Sequence, residues 1–234
     1  MSAIGDILKE SKKVVVKIGS NVLSDDQGFV DKENVQGIIS QIMKLIEDGK
    51  QVLIVSSGAG ACGMATIHKW ARQKDINYKQ ALCAIGQVEL MMEYKEGFGK
   101  EGIHVGQILL TKDDFSDPDR TLRIRNTIHT LVDEDVVPVI NENDSVAVDE
   151  IKIGDNDALS AQVATLWDAD VLVFLSNIEG IFDKDPGRAE DAKMIEEVRD
   201  IDKLLDNIEV KGSSSFGTGG IATKIEAARH VNDF

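Results

Sequence analysis

Apolar positions along the chain follow two rhythms. Continuous β-branched or aliphatic runs occur at Lys13–Ile18 (KVVVKI), Gln51–Val55 (QVLIV), His104–Leu110 (HVGQILL), Val136–Ile140 (VVPVI) and Asp170–Leu175 (DVLVFL). Runs of this length without alternation predict five strands covered on both faces. Between them, apolar residues recur every three or four positions. Val35, Ile38, Ile39, Ile42, Met43, Leu45 and Ile46 predict an amphipathic helix opened by Asp31 or Asn34 and stopped by Gly49. MATIHKWARQK (64–74) and Gln80–Tyr94 also read as helical; in the second, Met91 and Met92 suit core or subunit contact. Asp117-Pro118-Asp119 opens a helix through Leu131, with proline where its missing N–H does no harm. ALSAQVATLW (158–167), a short piece at Ile201–Leu205 and a last segment to Phe234 complete the helical set. Ile178–Gly187 reads as a turn-rich connector and Lys211–Gly217 as a small-residue loop. Strand–helix–strand order predicts right-handed crossovers and a mostly parallel sheet with helices on both faces.

Composition narrows the function classes. The 234 residues carry no internal repeat and no dividing linker, so one α/β domain is expected. A formal charge of −15, from 26 basic and 41 acidic residues, disfavours nucleic acid and anionic membrane as partners. An anionic substrate would need local lysines, helix N-termini or a divalent cation. Cys62 and Cys83 are too few and too unpatterned for a disulfide scaffold or zinc site, and read as reduced thiols of a cytoplasmic protein. No run approaches the ~20 apolar residues of a membrane span, and the N-terminus MSAIGDILKESKK lacks a signal-peptide core.

The polar residues that exceed structural need lie around Pro138–Asp157 (PVINENDSVAVDEIKIGDND). Asn141, Glu142, Asn143 and Asp144 follow a strand, and Gly154-Asp155-Asn156-Asp157 precede a helix, for which Asp155 and Asn156 are good caps. One cap would need only one of them, and strand C-terminal ends are where open α/β sheets bind ligands. Lys17 interrupts an apolar strand; it either snorkels from the strand end or sits beside Gly19 facing a ligand. Gly58, Gly60 and Gly63 match the dinucleotide fingerprint after a strand, yet no strand ending in an acid follows about 20 residues on. A glycine-rich turn holding an anion with backbone N–H groups and the Ser57 hydroxyl fits better. Thr218-Gly219-Gly220-Ile221-Ala222-Thr223-Lys224 offers a helix start to a phosphate, without any Walker Gly-Lys-Ser/Thr. His68, His104, His129 and His230 form no catalytic pattern, and Arg120, Arg123 and Arg125 read as a solvated face.

VVVKIGSNVL, VSSGAGACG, GIHVGQILLT, VVPVINENDSV, EIKIGDNDALSA and GTGGIATKIEAA follow one another across almost the whole chain. In that order they resemble the amino acid kinase family, and within it the members that phosphorylate free glutamate. The resemblance implies a three-layer α/β/α sandwich that uses ATP with Mg2+. It implies transfer of a phosphoryl group to the side-chain carboxylate of L-glutamate, giving an acyl phosphate that opens proline biosynthesis. By this resemblance Lys17 and Lys224 flank the transferred group, Asp157 orients both, and Gly19 and Gly58 lend backbone N–H groups. Ser57, Gly58, Asp144 and Asn156 hold glutamate, Asp144 at its α-ammonium. Lys17, Gly19, Ser176, Asn177, Thr218, Gly219, Gly220, Ile221, Ala222, Thr223 and Lys224 line the nucleotide, and no side chain is assigned to a metal. A homodimer or homotetramer and feedback inhibition by proline are implied as well.

The sequence departs from the family pattern in places. Ser176-Asn177 stands where relatives carry Thr-Asp, and the chain stops at Phe234, before a further family strand. The domain over 1–234 is therefore expected to lack its last strand and the RNA-binding-type PUA domain. Two alternatives share the scaffold: a non-catalytic amino-acid or nucleotide sensor, and a kinase of the acetylglutamate or uridylate type. Retention of both lysines and Asp157 favours an enzyme; NEND with GDND favours free glutamate.

Overall fold

A computed structural model describes residues 3–25, 29–68, 75–147, 156–177, 180–184, 189–207 and 220–233. Five strands form one sheet: β1 (Lys13–Ile18), β2 (Gln51–Ser56), β3 (His104–Leu110), β4 (Val136–Glu142) and β5 (Val171–Leu175). Their order is β3-β4-β2-β1-β5, and every neighbouring pair is parallel. All five C-terminal ends therefore share one edge of the sheet.

Parallel pairing requires crossovers, and helices supply them. In chain order the helices are α1 (Ala3–Glu10), which precedes the first strand, and then α2 (Ser20–Leu23), α3 (Lys32–Glu47), α4 (Ala59–Ile67), α5 (Ile76–Gly99), α6 (Pro118–Asp133) and α7 (Asp157–Trp167). A small antiparallel pair, β6 (Ile181–Phe182) and β7 (Met194–Ile195), sits where only a connector was expected, followed by α8 (Ile201–Asn207) and α9 (Ile221–Asn232). Asp31, Asp75 and Asp117 each cap a helix by accepting from backbone N–H groups of its first turn. The Asp75 cap explains why α5 begins four residues before the predicted Gln80. Beyond Tyr94, α5 continues because Phe98 enters the core and Gly97 lies against Ile39.

Side-chain alternation along the strands separates two cores. Val14, Val16 and Ile18 of β1, with Val52 and Ile54 of β2 and Val137 and Val139 of β4, face α3 and α5 through Val35, Ile39, Leu90, Tyr94 and Phe98. Val15, Leu53, Val55 and Ile140 face the other way, onto Ile128 of α6 and Leu159, Val163 and Trp167 of α7. Met91 packs against the first core, whereas Met92 is exposed. β5 begins one residue later than predicted because Asp170 leaves the strand: its carboxylate accepts from the N–H groups of Lys12 and Lys13 at 2.7 and 2.8 Å. That contact pulls the Asp170 carboxyl below the usual range.

The Gly58-x-Gly60-x-x-Gly63 stretch is not an extended glycine-rich turn. Gly58 alone adopts a left-handed conformation, φ +102°, and caps α4, which already contains Gly60 and Gly63. The helix read over 64–74 thus starts earlier, at Ala59, and is followed only to Ile67; residues 69–74 lie outside the described set. Gly63 presses on the Leu82 backbone and Gly86 on the Ala59 carbonyl, so α4 and α5 touch main chain to main chain in antiparallel fashion. A Cβ on Gly86 would overlap the Ala59 and Gly63 backbone. Gly86→Ala is expected to lose about 1–3 kcal/mol or more in urea unfolding. Gly37→Ala in α3, where nothing lies within 4 Å of the new Cβ, should gain roughly 0.5–1 kcal/mol from helix propensity.

Candidate active site

The site is assembled from side chains at or next to the C-terminal ends of β1, β2 and β4. On β1, Lys17 shares the face of Val15, toward α7; on β2 and β4, Ser56 and Asn141 share the face toward α5. Period-two alternation thus sends a cation to one side of the sheet edge and neutral polar groups to the other.

On the α7 side, Asp157 is the first residue of the helix, where the N-terminal dipole favours a carboxylate. It is completely buried, and Lys17 is 3% exposed. Lys17 Nζ lies 2.5 Å from Asp157 Oδ1, and Lys224 Nζ lies 3.1 Å from Oδ2. Thr223 Oγ1 is 2.8 Å from the same Oδ2 and from the Gly220 carbonyl. Lys224 keeps 15% of its side chain exposed. Two lysine ammonium groups thus meet on one carboxylate in a chain of net charge −15. α9, which carries Thr223 and Lys224, packs on α7 through buried Ile225 and Ala227. Its N-cap is Gly220, and its first turn begins at Ile221.

On the α5 side the contacts are amide-to-amide. Asn156 Nδ2 donates to the Ser56 carbonyl at 2.6 Å and to Asn141 Oδ1 at 2.7 Å. Asn141 Nδ2 in turn donates to Gln87 Oε1 at 2.7 Å. Ser56 Oγ shares a 2.8 Å hydrogen bond with the buried Tyr94 hydroxyl. Asn156 therefore does not cap α7 with its side chain; its amide ties the ends of β2 and β4 together instead.

Several expectations need correction or completion. The Gly19 N–H is engaged by the Leu175 carbonyl at 3.2 Å, joining β1 to β5, rather than facing a ligand. The Ser57 N–H likewise serves the Ile18 carbonyl at 3.1 Å, leaving its half-buried side chain at the edge. Gly58 supplies the left-handed turn into α4, whose N-cap likewise offers no side chain. Ser176 and Asn177 follow β5 directly and lie at the same edge; Asp144 sits in the turn after β4, half-buried. Ile221 and Ala222 form the first turn of α9. Gly154, Asp155, Thr218 and Gly219 lie outside the described residues. Sequence reading missed Ser56, Gln87 and the Thr223–Asp157 contact, and did not assign Asn141 a partner. Strand alternation carried the signal for Ser56 and Asn141; Gln87 had none.

A buried carboxylate shared by two lysines at the C-terminal edge of a parallel sheet, beside the start of α9, marks an α/β protein with a charged ligand-binding edge. The profile of the Amino acid kinase family matches residues 12–233. The chain belongs to that family. It is 56% identical to a glutamate 5-kinase of Alkaliphilus oremlandii over 98% of this chain and 87% of that protein. Identity to the glutamate 5-kinase of Alkaliphilus metalliredigens is 55%, over 99% and 88%. For the one of Geobacter metallireducens it is 45%, over 97% of this chain and 61% of the longer relative. Among solved structures, UMP kinases from Bacillus anthracis (TM-score 0.64, 17% identity, 94% and 83% covered) and Ureaplasma parvum (0.63, 16%, 95% and 87%) share the fold. The three-layer arrangement implied by the resemblance is thereby borne out.

Asp157→Ala removes the carboxylate from a nearly inaccessible lysine. The variant is expected to lose about 3–5 kcal/mol in chemical unfolding, the usual cost of leaving one member of a buried pair. Lys224→Met, at the more exposed position, should lose clearly less.

Proposed function

We propose that this protein is a glutamate 5-kinase, transferring the γ-phosphoryl group of ATP to the side-chain carboxylate of L-glutamate. The observation that carries the reading is the pair of ammonium groups, Lys17 and Lys224, held on the two oxygens of Asp157. The glutamate 5-kinase relatives support the substrate choice.

The chemistry asks little of the protein beyond placement. A glutamate carboxylate, with an ordinary pKa of about 4.3, is ionised at neutral pH and attacks phosphorus without a general base. Among the described residues no histidine stands at the site, which accords with this. Catalysis then rests on alignment and on neutralising charge that moves onto the transferred oxygens. Lys17 and Lys224 meet that charge from β1 and α9, and Asp157 keeps both at fixed positions. The first turn of α9, Gly220 to Thr223, receives nucleotide phosphate, and Ser176-Asn177 takes the adenosine. Ser57, Gly58, Asn156 and Asp144 take glutamate, Asp144 pairing with its α-ammonium.

Mg2+ fits as a companion of the phosphates. It binds through one or two carboxylates plus phosphate oxygens rather than in an all-protein cage, and the described residues contain no group of three His, Cys, Asp or Glu side chains able to hold a metal. When bound it would screen phosphate charge. The same resemblance supports a homodimer or homotetramer and inhibition by proline. No described helix is long and apolar enough to cross a membrane.

Protein supplied with ATP, Mg2+, glutamate and hydroxylamine should yield the γ-hydroxamate, because hydroxylamine captures acyl phosphates. A folded sample that forms none would point to the sensor. Lys17→Ala and Lys224→Ala should each lower kcat by about 10²–10³, the scale of one lost transition-state donor. Turnover near wild type in either variant would refute the paired-lysine mechanism.

A further inference from the structure

Gln87 lies midway along α5 and is buried, 8% exposed. Its neighbour Gly86 meets the Ala59 and Gly63 backbone of α4, which fixes the helix at this level. Gln87 Oε1 accepts from Asn141 Nδ2 at 2.7 Å; Asn141 Oδ1 accepts from Asn156 Nδ2 at 2.7 Å and from the Glu142 N–H at 2.9 Å. Asn156 Nδ2 also donates to the Ser56 carbonyl at 2.6 Å. Two main-chain groups set the direction of this relay. The Glu142 N–H can only donate, so Asn141 turns its oxygen to it and its nitrogen to Gln87. The Ser56 carbonyl can only accept, so Asn156 presents its nitrogen. Gln87 is left with one workable orientation, oxygen toward Asn141. Its Nε2 is then buried with no hydrogen-bond partner among the described residues. An unpaired buried donor is costly, and an apolar side chain of the same length would fill this space without that cost. Stability alone therefore does not account for an amide here.

We infer that Gln87 is a positioning residue for the acceptor amino acid: through Asn141 it holds the Asn156 amide so that Oδ1 is the atom offered to the substrate's α-ammonium. This role rests on the glutamate-kinase reading, in which Asn156 takes glutamate. Both hydrogens of the Asn156 amide are committed to Ser56 and Asn141, so Oδ1 is the polar side-chain atom left for a ligand. Glutamate at neutral pH carries two carboxylates, which only accept, and one ammonium, which only donates. An acceptor oxygen can pair with the ammonium alone. Without the Gln87 oxygen, the Asn141 amide loses the partner that holds its nitrogen, and Asn156 loses its rigid support. A rotated Asn156 would turn N–H groups toward a cation. Discrimination follows: a dicarboxylate without the amino group never engages Asn156 Oδ1 and gains nothing from the relay.

The test compares wild type, Gln87→Met and Gln87→Glu by steady-state kinetics with hydroxylamine trapping, alongside melting curves. Gln87→Met, of similar length but without the acceptor, should raise KM for glutamate roughly 3- to 10-fold, the range of one net hydrogen bond. Its kcat should stay within about twofold and its KM for ATP should not move, the pattern of lost substrate binding. Inhibition by glutarate, which lacks the ammonium, should be unchanged. Gln87→Glu keeps an oxygen opposite Asn141 and should bring the glutamate KM back near wild type. Should Gln87→Met fail to fold, Gln87→Leu removes the same acceptor and carries the same expectation. An unchanged glutamate KM, a parallel rise in KM for ATP, an equal weakening of glutarate, or a Gln87→Glu protein no better than Gln87→Met would overturn the inference while leaving the kinase reading intact. Wild-type protein that makes no hydroxamate would remove both.

Discussion

Asp157 is the residue on which the architecture of the site turns. Taking a carboxylate and an ammonium out of water costs several kcal/mol per ion after relaxation, and a pair seldom recovers more than that. Here a completely buried carboxylate holds Lys17, itself 3% exposed, together with the partly exposed Lys224. An apolar trio of similar volume would pack without that penalty, so the arrangement is hard to explain as stabilisation. It fits the proposed role of two positive groups held in place for charge that arrives with a ligand. The fold serves it directly: β1 aims Lys17 at α7, the α7 dipole favours the acid at its first residue, and α9 lies along α7 to bring Lys224 within reach.

Adjacent residues divide the labour across the sheet edge. Asp157 directs its side chain to the charged side; Asn156, one position earlier, directs its amide to Ser56 and Asn141 on the neutral side. On the proposed function, the lysine side would serve the phosphoryl donor and the amide side the acceptor substrate. Beyond Asn141 the amide chain continues to Gln87 on α5, so the long helix buttresses the neutral half. The Tyr94 hydroxyl on Ser56 adds a second brace from the same helix.

The glycines after β2 show how one pattern can serve different physics. Gly58, Gly60 and Gly63 satisfy a dinucleotide fingerprint letter by letter. In the fold only Gly58 makes a turn, and Gly63 allows α5 to approach α4 at main-chain contact, with Gly86 answering from the partner helix. Close helix contact places Cys83 against Gly60 and Gln87 against Asn141, so packing at these glycines feeds into the geometry of the site.

The chain's own order of apolar and polar residues determined the five strands, their parallel pairing, the caps at Asp31 and Asp117, and the edge at which a ligand would bind. Those features follow from local periodicity and from short-range hydrogen bonding, which a linear reading contains. Lys17, Lys224 and Asp157 were recognisable as candidates through motif resemblance. That they meet on a single carboxylate was decided by sheet order, since β1 lies beside β5 and beneath α7 only once the strands are arranged. The loss of the Gly19 N–H to Leu175, the diversion of Asn156 from capping to bridging, and the joining of Gln87 to Asn141 were settled the same way. Each is a contact between residues far apart in sequence, and no local pattern encodes which distant partner a buried polar group will find.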